Sequence, residues 1–233
     1  MTCQEKLNGL LELYDRVTLL SSKNDCRVIR MRHKKLQRDL VLHILPKPNP
    51  IYETLRGLRC ENLPAVYEVF ELDDGMMVLE EYVEGLNVGE IAETGRYRKR
   101  GAKKVVKEVC RGLSVLHKNG IIHRDIKPEN IMVDKNGRVV LIDFNASRRI
   151  QQKSRDTEIM GTVGYASPEQ LGITQSDERT DIYAVGILLN VLLLGKHPSE
   201  KIASGRMGKI VRKCTAVNPE DRYQSAEKLA YIL

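Results

Sequence analysis

His123-Arg124-Asp125-Ile126-Lys127-Pro128-Glu129-Asn130, followed thirteen residues after Asn130 by Asp143-Phe144-Asn145, concentrates more chemistry than any other part of this chain. Asp125 is a candidate acceptor for the proton of a substrate hydroxyl. Lys127 can neutralise charge on a transferring phosphoryl group, and Asn130 and Asp143 offer hard oxygen ligands of the kind Mg²⁺ takes. A base, a cation and two metal ligands at these spacings fit phosphoryl transfer. Taken singly, each residue has a plainer account, since an isolated Asp or Lys in a loop is usually solvated and a lone His is more often packed than catalytic.

Working outward, 233 residues with 42% hydrophobic content can bury a full core and fall between one large domain and two small lobes. No basic segment followed by an apolar one opens the sequence. The longest apolar run, 182–194, includes Asn190 and is too short for a bilayer, so it reads as a buried helix. The five cysteines are odd in number, irregularly spaced and without a CxxC pair, which fits reduced thiols in a cytoplasm. The net charge of +7 is partly local: Arg96, Arg98, Lys99, Arg100, Lys103, Lys104 and Lys107 lead into a helical pattern with Val105, Val106, Val109, Cys110 and Leu113 on its other face. Such a run is either a solvated helix face or a docking patch for an acidic partner. Only Tyr97 interleaves with these charges, which speaks against nucleic acid.

Segments 14–20, 26–32 and 39–45 are short, rich in Val, Ile and Leu, and separated by polar clusters, so they are expected to be antiparallel strands. Pro46-Lys47-Pro48-Asn49-Pro50 breaks the pattern, and Ile51, Leu55 and Leu58 then recur at helical spacing. Segments 66–72 and 76–82 flank Asp73-Asp74-Gly75, a hairpin signal. The expectation is a five-stranded sheet with one short helix, forming a small lobe over 1–85. Beyond Gly85, helices are expected over 102–118 and 180–194, with a hairpin around Lys135-Asn136-Gly137 that presents Asp143 at its exit. Residues 86–233 then form a mainly helical lobe. No repeat or low-complexity tract interrupts them, and any regulatory domain is expected on another polypeptide.

The loop from His123 to Asn130 with Asp143-Phe144 resembles the catalytic loop and metal-binding tripeptide of protein kinases, and the likeness extends over nearly the whole chain. Gly161-Thr162 to Ala166-Ser167-Pro168-Glu169 resembles the end of an activation segment, with Ser167 where the family usually has Ala. Asp181 and Gly186 match the start of its long buried helix, and Arg222 matches the arginine that pairs with the glutamate found here at Glu169. The resemblance implies an α+β, bilobal protein-kinase-like fold over 14–233. It assigns Asp125 as base, Lys127 as phosphoryl contact, Asn130 and Asp143 as Mg²⁺ ligands, and ATP as the phosphoryl donor. Lys127 with Thr162 looks like the serine/threonine class. By the same resemblance, Val28 and Val41 above and Met132 below would contact adenine, Glu81-Tyr82-Val83 would form the hinge, and Glu80 would guard the back of the adenine pocket.

The small lobe departs from the pattern. No glycine remains between Leu20 and Val28, where the family has a Gly-rich phosphate cradle, although Ser, Asn and Asp there still favour a turn. His43 aligns with the lysine that grips the α- and β-phosphates; an unperturbed histidine, with a pKa of about 6.5, is mostly neutral at pH 7. Glu53 is the only carboxylate near the place of the helix glutamate that would pair with it. Asn145 replaces the glycine after Asp-Phe, a mild change because Asn tolerates left-handed backbone angles. Ser154 and Thr157, beside Arg148, Arg149, Lys153 and Arg155, are candidate phosphorylation sites with Arg124 as a partner.

The expectation is a cytoplasmic serine/threonine protein kinase of compact bacterial type, acting on protein hydroxyls, with no membrane span. A pseudokinase that binds nucleotide or acts as a scaffold is the competing class. A kinase for a small molecule such as an aminoglycoside or choline is disfavoured by the segment through Glu169 and its partner Arg222.

Overall fold

The computed structural model describes every residue except 24, 94, 96, 151–161, 163 and 172–175. The chain divides into two compact units, one comprising Met1–Cys60 and Pro64–Val83, the other Glu61–Leu63 and Glu84–Leu233.

The smaller unit is built on β1 (Tyr14–Lys23), β2 (Cys26–His33), β3 (Asp39–Leu45), β4 (Val66–Leu72) and β5 (Gly75–Glu81). All neighbours are antiparallel, in the order β1-β2-β3-β5-β4. Strand alternation gives the sheet two different faces. Ile29, Met31, Leu42, Ile44, Met77 and Leu79 form one core cluster with Cys3, Leu7 and Leu10. These last three come from α1 (Cys3–Leu13), a helix absent from the elements expected from sequence. Its start is a capping box, with Glu5 N–H donating to Thr2 Oγ1 (3.2 Å) and Thr2 N–H to Glu5 Oε2 (2.8 Å). Cys3 N–H also donates to Asp74 Oδ1 (2.7 Å) in the β4–β5 turn, so an acid stands at the positive end of the helix dipole. Gly75 closes that turn at φ +154°, where a Cβ would lie 2.2 Å from Leu45 O. The β1–β2 turn closes without glycine, with Lys23 opposite Cys26 and Asp25 at φ +63°.

The face away from α1 carries Val28, Val41, His43, Val78 and Glu80, because Val28 pairs with His43, His43 with Val78, and Val41 with Glu80. The short helix signalled by Ile51 and Leu55 is α2 (Ile51–Gly57), which buries Ile51, Tyr52 and Leu55.

In the larger unit, β6 (Gly85–Asn87) and α3 (Val88–Glu93) precede α4 (Lys99–Lys118). Helix α4 buries an apolar stripe that includes Val105, Val106, Val109, Cys110, Leu113 and Leu116. Next come β7 (Ile121–Ile122), β8 (Ile131–Asp134), β9 (Val139–Leu141) and β10 (Arg148–Arg149). The β8–β9 hairpin turns at Lys135-Asn136-Gly137, with Gly137 at φ +77°. Among the described residues, the α-helices that follow are α5 (Glu178–Leu194), α6 (Gly205–Cys214) and α7 (Ala226–Ile232).

Helix α5 is capped by Asp177, whose side chain accepts from Arg179 N–H, and stops at Gly195 at φ +66°. Its buried Asn190 is satisfied: Nδ2 donates to Lys196 O and Lys201 O (both 2.8 Å), and Oδ1 accepts from Ala203 N–H (2.9 Å). The one amide in the apolar run therefore pins the loop that follows the helix. Segment 61–63 belongs to this unit because Asn62 behaves as part of it. Its Nδ2 donates to Val139 O (2.9 Å), its carbonyl accepts from Leu141 N–H (2.9 Å), and it packs against Gly112 of α4.

Candidate active site

The loop 123–130 leaves β7 and is held from below by Asp181, in the first turn of α5. Asp181 Oδ2 accepts from His123 N–H (2.9 Å) and Oδ1 from Arg124 N–H (2.8 Å), while His117 Nε2 lies 2.9 Å from Oδ2. Burial of this carboxyl acts to raise its pKa. The His117 bond and its other partners outweigh that and hold it below the usual carboxylate range. Two backbone bonds from one carboxylate stabilise an unusual turn, in which Arg124 sits at φ +67°.

His123 packs edge-on against Phe144, with ring centroids 5.3 Å apart. Its Nδ1 accepts from Asp125 N–H (3.3 Å), which assigns the proton to Nε2, facing Ile142 O at 3.2 Å. Burial pushes the imidazole pKa down, against nearby Asp181, Asp143 and Asp125, so the ring is a neutral strut.

Asp125, Lys127, Asn130 and Thr162 form one hydrogen-bonded cluster. Lys127 Nζ donates to Asp125 Oδ2 (2.7 Å) and to Thr162 Oγ1 (2.9 Å), and Thr162 Oγ1 donates to Asp125 Oδ1 (2.7 Å). Asn130 Nδ2 donates to Asp125 O (2.9 Å) and Oδ2 (2.8 Å). Burial works to raise the Asp125 pKa, but the bonds from Lys127 and Thr162 prevail and keep it ionised below the ordinary range. A carboxylate gripped at both oxygens is fixed in orientation.

Asn130 turns its amide nitrogen towards Asp125, which leaves its Oδ1 for a cation. Asp143 is tied to the same loop through its neighbour Ile142, whose N–H donates to Asn130 O (2.9 Å). The Asp143 carboxylate accepts from Asn145 N–H through Oδ1 (3.2 Å), leaving Oδ2. The left-handed angle in this tripeptide falls on Asp143, at φ +67°, rather than on Asn145, so position 145 has no need of a glycine. Two such oxygens could hold Mg²⁺, which is usually bound by one or two protein groups and completed by phosphate and water.

Ser167 and Gln170 form a support that no sequence motif announces. Ser167 N–H donates to Gln170 Oε1 (3.1 Å), its Oγ lies 3.3 Å from the same oxygen, and Gln170 Nε2 donates to Arg124 O (2.9 Å). The hydroxyl at 167 thus belongs to a buried network that reaches the 123–130 loop. Glu169 meets Arg222 through both oxygens (2.6 and 2.9 Å). Arg222 spends its other N–H groups on Ala216 O, Arg179 O and Val217 O, so all five donors are used. Ser154, Thr157 and Gly161 lie outside the described residues.

In the smaller unit, His43 and Glu80, each 3% exposed, form a pair with Nε2 and Oε1 2.7 Å apart. Glu53 is elsewhere, bonded to Arg56 (2.9 Å) on the surface of α2. The partner for position 43 therefore comes from the neighbouring strand, diagonally across the β3–β5 ladder. Val41 is buried and Val28 half-buried on the same face as His43. Glu81 exchanges backbone and side-chain bonds with Ala65, Val83 is buried, and Met132 lies half-buried in β8 of the larger unit.

A family model described as Protein kinase domain matches residues 50–231. The chain belongs to the protein kinase family. The matched span starts after β3, at the residue before α2. Among protein-kinase relatives, the serine/threonine-protein kinase PknB of Mycolicibacterium smegmatis is 30% identical over 203 residues, covering 72% of this chain and 32% of that protein. PknB of Mycobacterium leprae is 31% identical over 204 residues, covering 74% of this chain and 33% of its own length. Serine/threonine-protein kinase PrkC of Bacillus subtilis is 30% identical over 194 residues, covering 72% of this chain and 30% of PrkC. The chain thus spans about a third of the length of the curated relatives it matches.

Proposed function

We propose that this chain is a serine/threonine protein kinase that transfers the γ-phosphoryl group of ATP to a hydroxyl of a protein substrate in the cytoplasm. The observation that carries this reading is the closed cluster in which Lys127, Thr162 and Asn130 together orient the Asp125 carboxylate. The substrate oxygen bonds to the γ-phosphorus as the bond to the β–γ bridging oxygen breaks, ADP leaves, and the hydroxyl proton passes to Asp125. Lys127 places positive charge beside the phosphoryl in flight. We assign Asn130 and Asp143 to hold Mg²⁺, which supplies charge neutralisation on the phosphates when bound. Nucleotide contacts are assigned to Val28, Val41, His43, Glu81, Val83 and Met132. No helix among the described residues is long and apolar enough to cross a membrane.

A second reading, a nucleotide-binding pseudokinase, is favoured by one observation. His43, at the phosphate-gripping position, is already engaged by Glu80, so any positive charge it carries is neutralised inside the sheet. The test is incubation of the purified protein with labelled ATP, Mg²⁺ and a generic basic protein, alongside Asp125→Asn. The kinase reading expects incorporation that drops by about 10²–10⁴-fold in the variant. Stabilisation by nucleotide with no incorporation in either protein would instead establish the pseudokinase.

A further inference from the structure

Helix α4 carries its cations in an order that works against the helix itself. Lys99, Lys103, Lys107 and Arg111 recur every fourth residue, so they form one inclined row with steps of about 6 Å. Like charges at this spacing repel, and cations in the first turn oppose the helix dipole. The first turn contains no acidic residue, and Arg98 at the N-cap makes no side-chain capping bond. Among the described residues, Lys99, Lys103 and Lys107 have no ion-pair partner, whereas Arg111 is bonded to Glu108 (2.6 Å).

The row also borders a hollow. Lys99, Lys103 and Lys107 line a groove of about 500 Å³ whose far side includes Leu233. Lys107 and Arg111 continue into an adjoining groove of about 370 Å³ bordered by Tyr231, which is 90% exposed. The side-chain carboxylates along the grooves are already committed, Glu108 to Arg111 and Asn62, and Glu227 to Lys118 (2.9 Å). Lys103 and Lys107 are half-buried, and Leu233 borders the groove that they line. A single-stranded nucleic acid would call for several stacking aromatics, and Tyr231 is the aromatic lining these grooves.

An extended peptide places alternate side chains on one side at intervals of about 6.6–6.8 Å, close to the step of the cation row. We propose that this face of α4 docks an extended acidic segment of a partner protein, with carboxylates at every second residue facing Lys99, Lys103, Lys107 and Arg111, and intervening residues against Tyr231 and Leu233. The proposal is independent of phosphoryl transfer, since none of these residues belongs to the cluster around Asp125.

Fluorescence anisotropy of a labelled twelve-residue peptide with Glu at alternate positions and Thr between them tests it. Binding is expected to weaken about tenfold in Lys103→Glu/Lys107→Glu, and to weaken similarly for a peptide of the same composition with its Glu residues in one block. Replacing the two central Glu residues of the alternating peptide by Lys should restore binding to that double variant. Circular dichroism and the milder Lys103→Gln/Lys107→Gln keep a folding defect separate from lost docking. Equal binding of the block peptide, indifference to both double variants, or displacement of the peptide by phosphatidylserine vesicles or oligothymidylate at lower concentration than unlabelled peptide would each overturn the proposal.

Discussion

Glu169–Arg222 in the larger unit and His43–Glu80 in the smaller are both buried acid–base pairs, yet they differ in how completely they are satisfied. Arg222 uses all five N–H donors, and Glu169 receives two of them together with the Thr180 hydroxyl at 3.0 Å. Glu80 is bound through Oε1, while its Oε2 has no hydrogen-bond partner among the described residues. The first is a clamp between segments 53 residues apart, and its geometry compensates for the desolvation of both charges. The second joins adjacent strands that already pair, and what it adds is to engage the side chain at position 43.

Breaking the clamp should have the largest effect on stability. Arg222→Met strands the Glu169 carboxylate and is expected to destabilise the fold by about 3–5 kcal/mol in urea unfolding. The Glu169 carboxyl is held below its ordinary range because, although burial pushes it up, Arg222 pulls it down further. Its contribution is therefore present above the unfolded pKa of about 4.3 and lost as pH falls through the lower folded value.

The smaller pair should respond differently to single and double replacement. Glu80→Leu or His43→Leu alone leaves a buried polar partner, at about 1–3 kcal/mol, whereas the double variant should unfold near the parent midpoint. A strictly additive double variant would mean that the two side chains do not act as a pair. The same logic applies to nucleotide. His43→Lys places its ammonium beside Glu80 and should change ATP affinity less than about threefold, while His43→Lys/Glu80→Met, which frees that charge, should tighten it by about tenfold. Equal affinities for the single and double variants would separate Glu80 from the phosphate grip.

The smallest expected effect comes from His123. Its folded pKa lies below the unfolded value of about 6.5, so the unfolded chain takes up the proton first and stability falls as pH drops below that value. The slope is limited to about 1.4 kcal/mol per pH unit. Urea midpoints measured from pH 7.5 to 5.5 should decline over this window, and a flat profile would mean that the imidazole charges in the folded state.

The parts of the fold that can be read in advance share one property, which is that their signals are local. Asp73-Asp74-Gly75 and Lys135-Asn136-Gly137 are turn residues between alternating runs, and each closes a hairpin. Asn190 inside the apolar run points to a buried helix, and α5 is one. The capping box of α1 is equally local, with Thr2 and Glu5 three residues apart, but the apolar stripe behind it, Cys3, Leu7 and Leu10, is too narrow to mark a helix by periodicity. At the site, the short spacing from Asp125 to Asn130 announces the cluster, since five residues of loop leave little choice of where those side chains go.

What composition and spacing determined by themselves was the α+β class and the grouping of Lys127 and Asn130 with Asp125, because turns, caps and short loops act over a few positions, whereas Thr162 joins that group from 37 residues away. Only the tertiary structure decided that Glu80, not Glu53, faces His43, that Gln170 ties Ser167 to Arg124 O, and that the cations of α4 line a hollow beside Leu233. Those pairings depend on strand register and helix packing, which bring together residues whose separation along the chain carries no record of their contact.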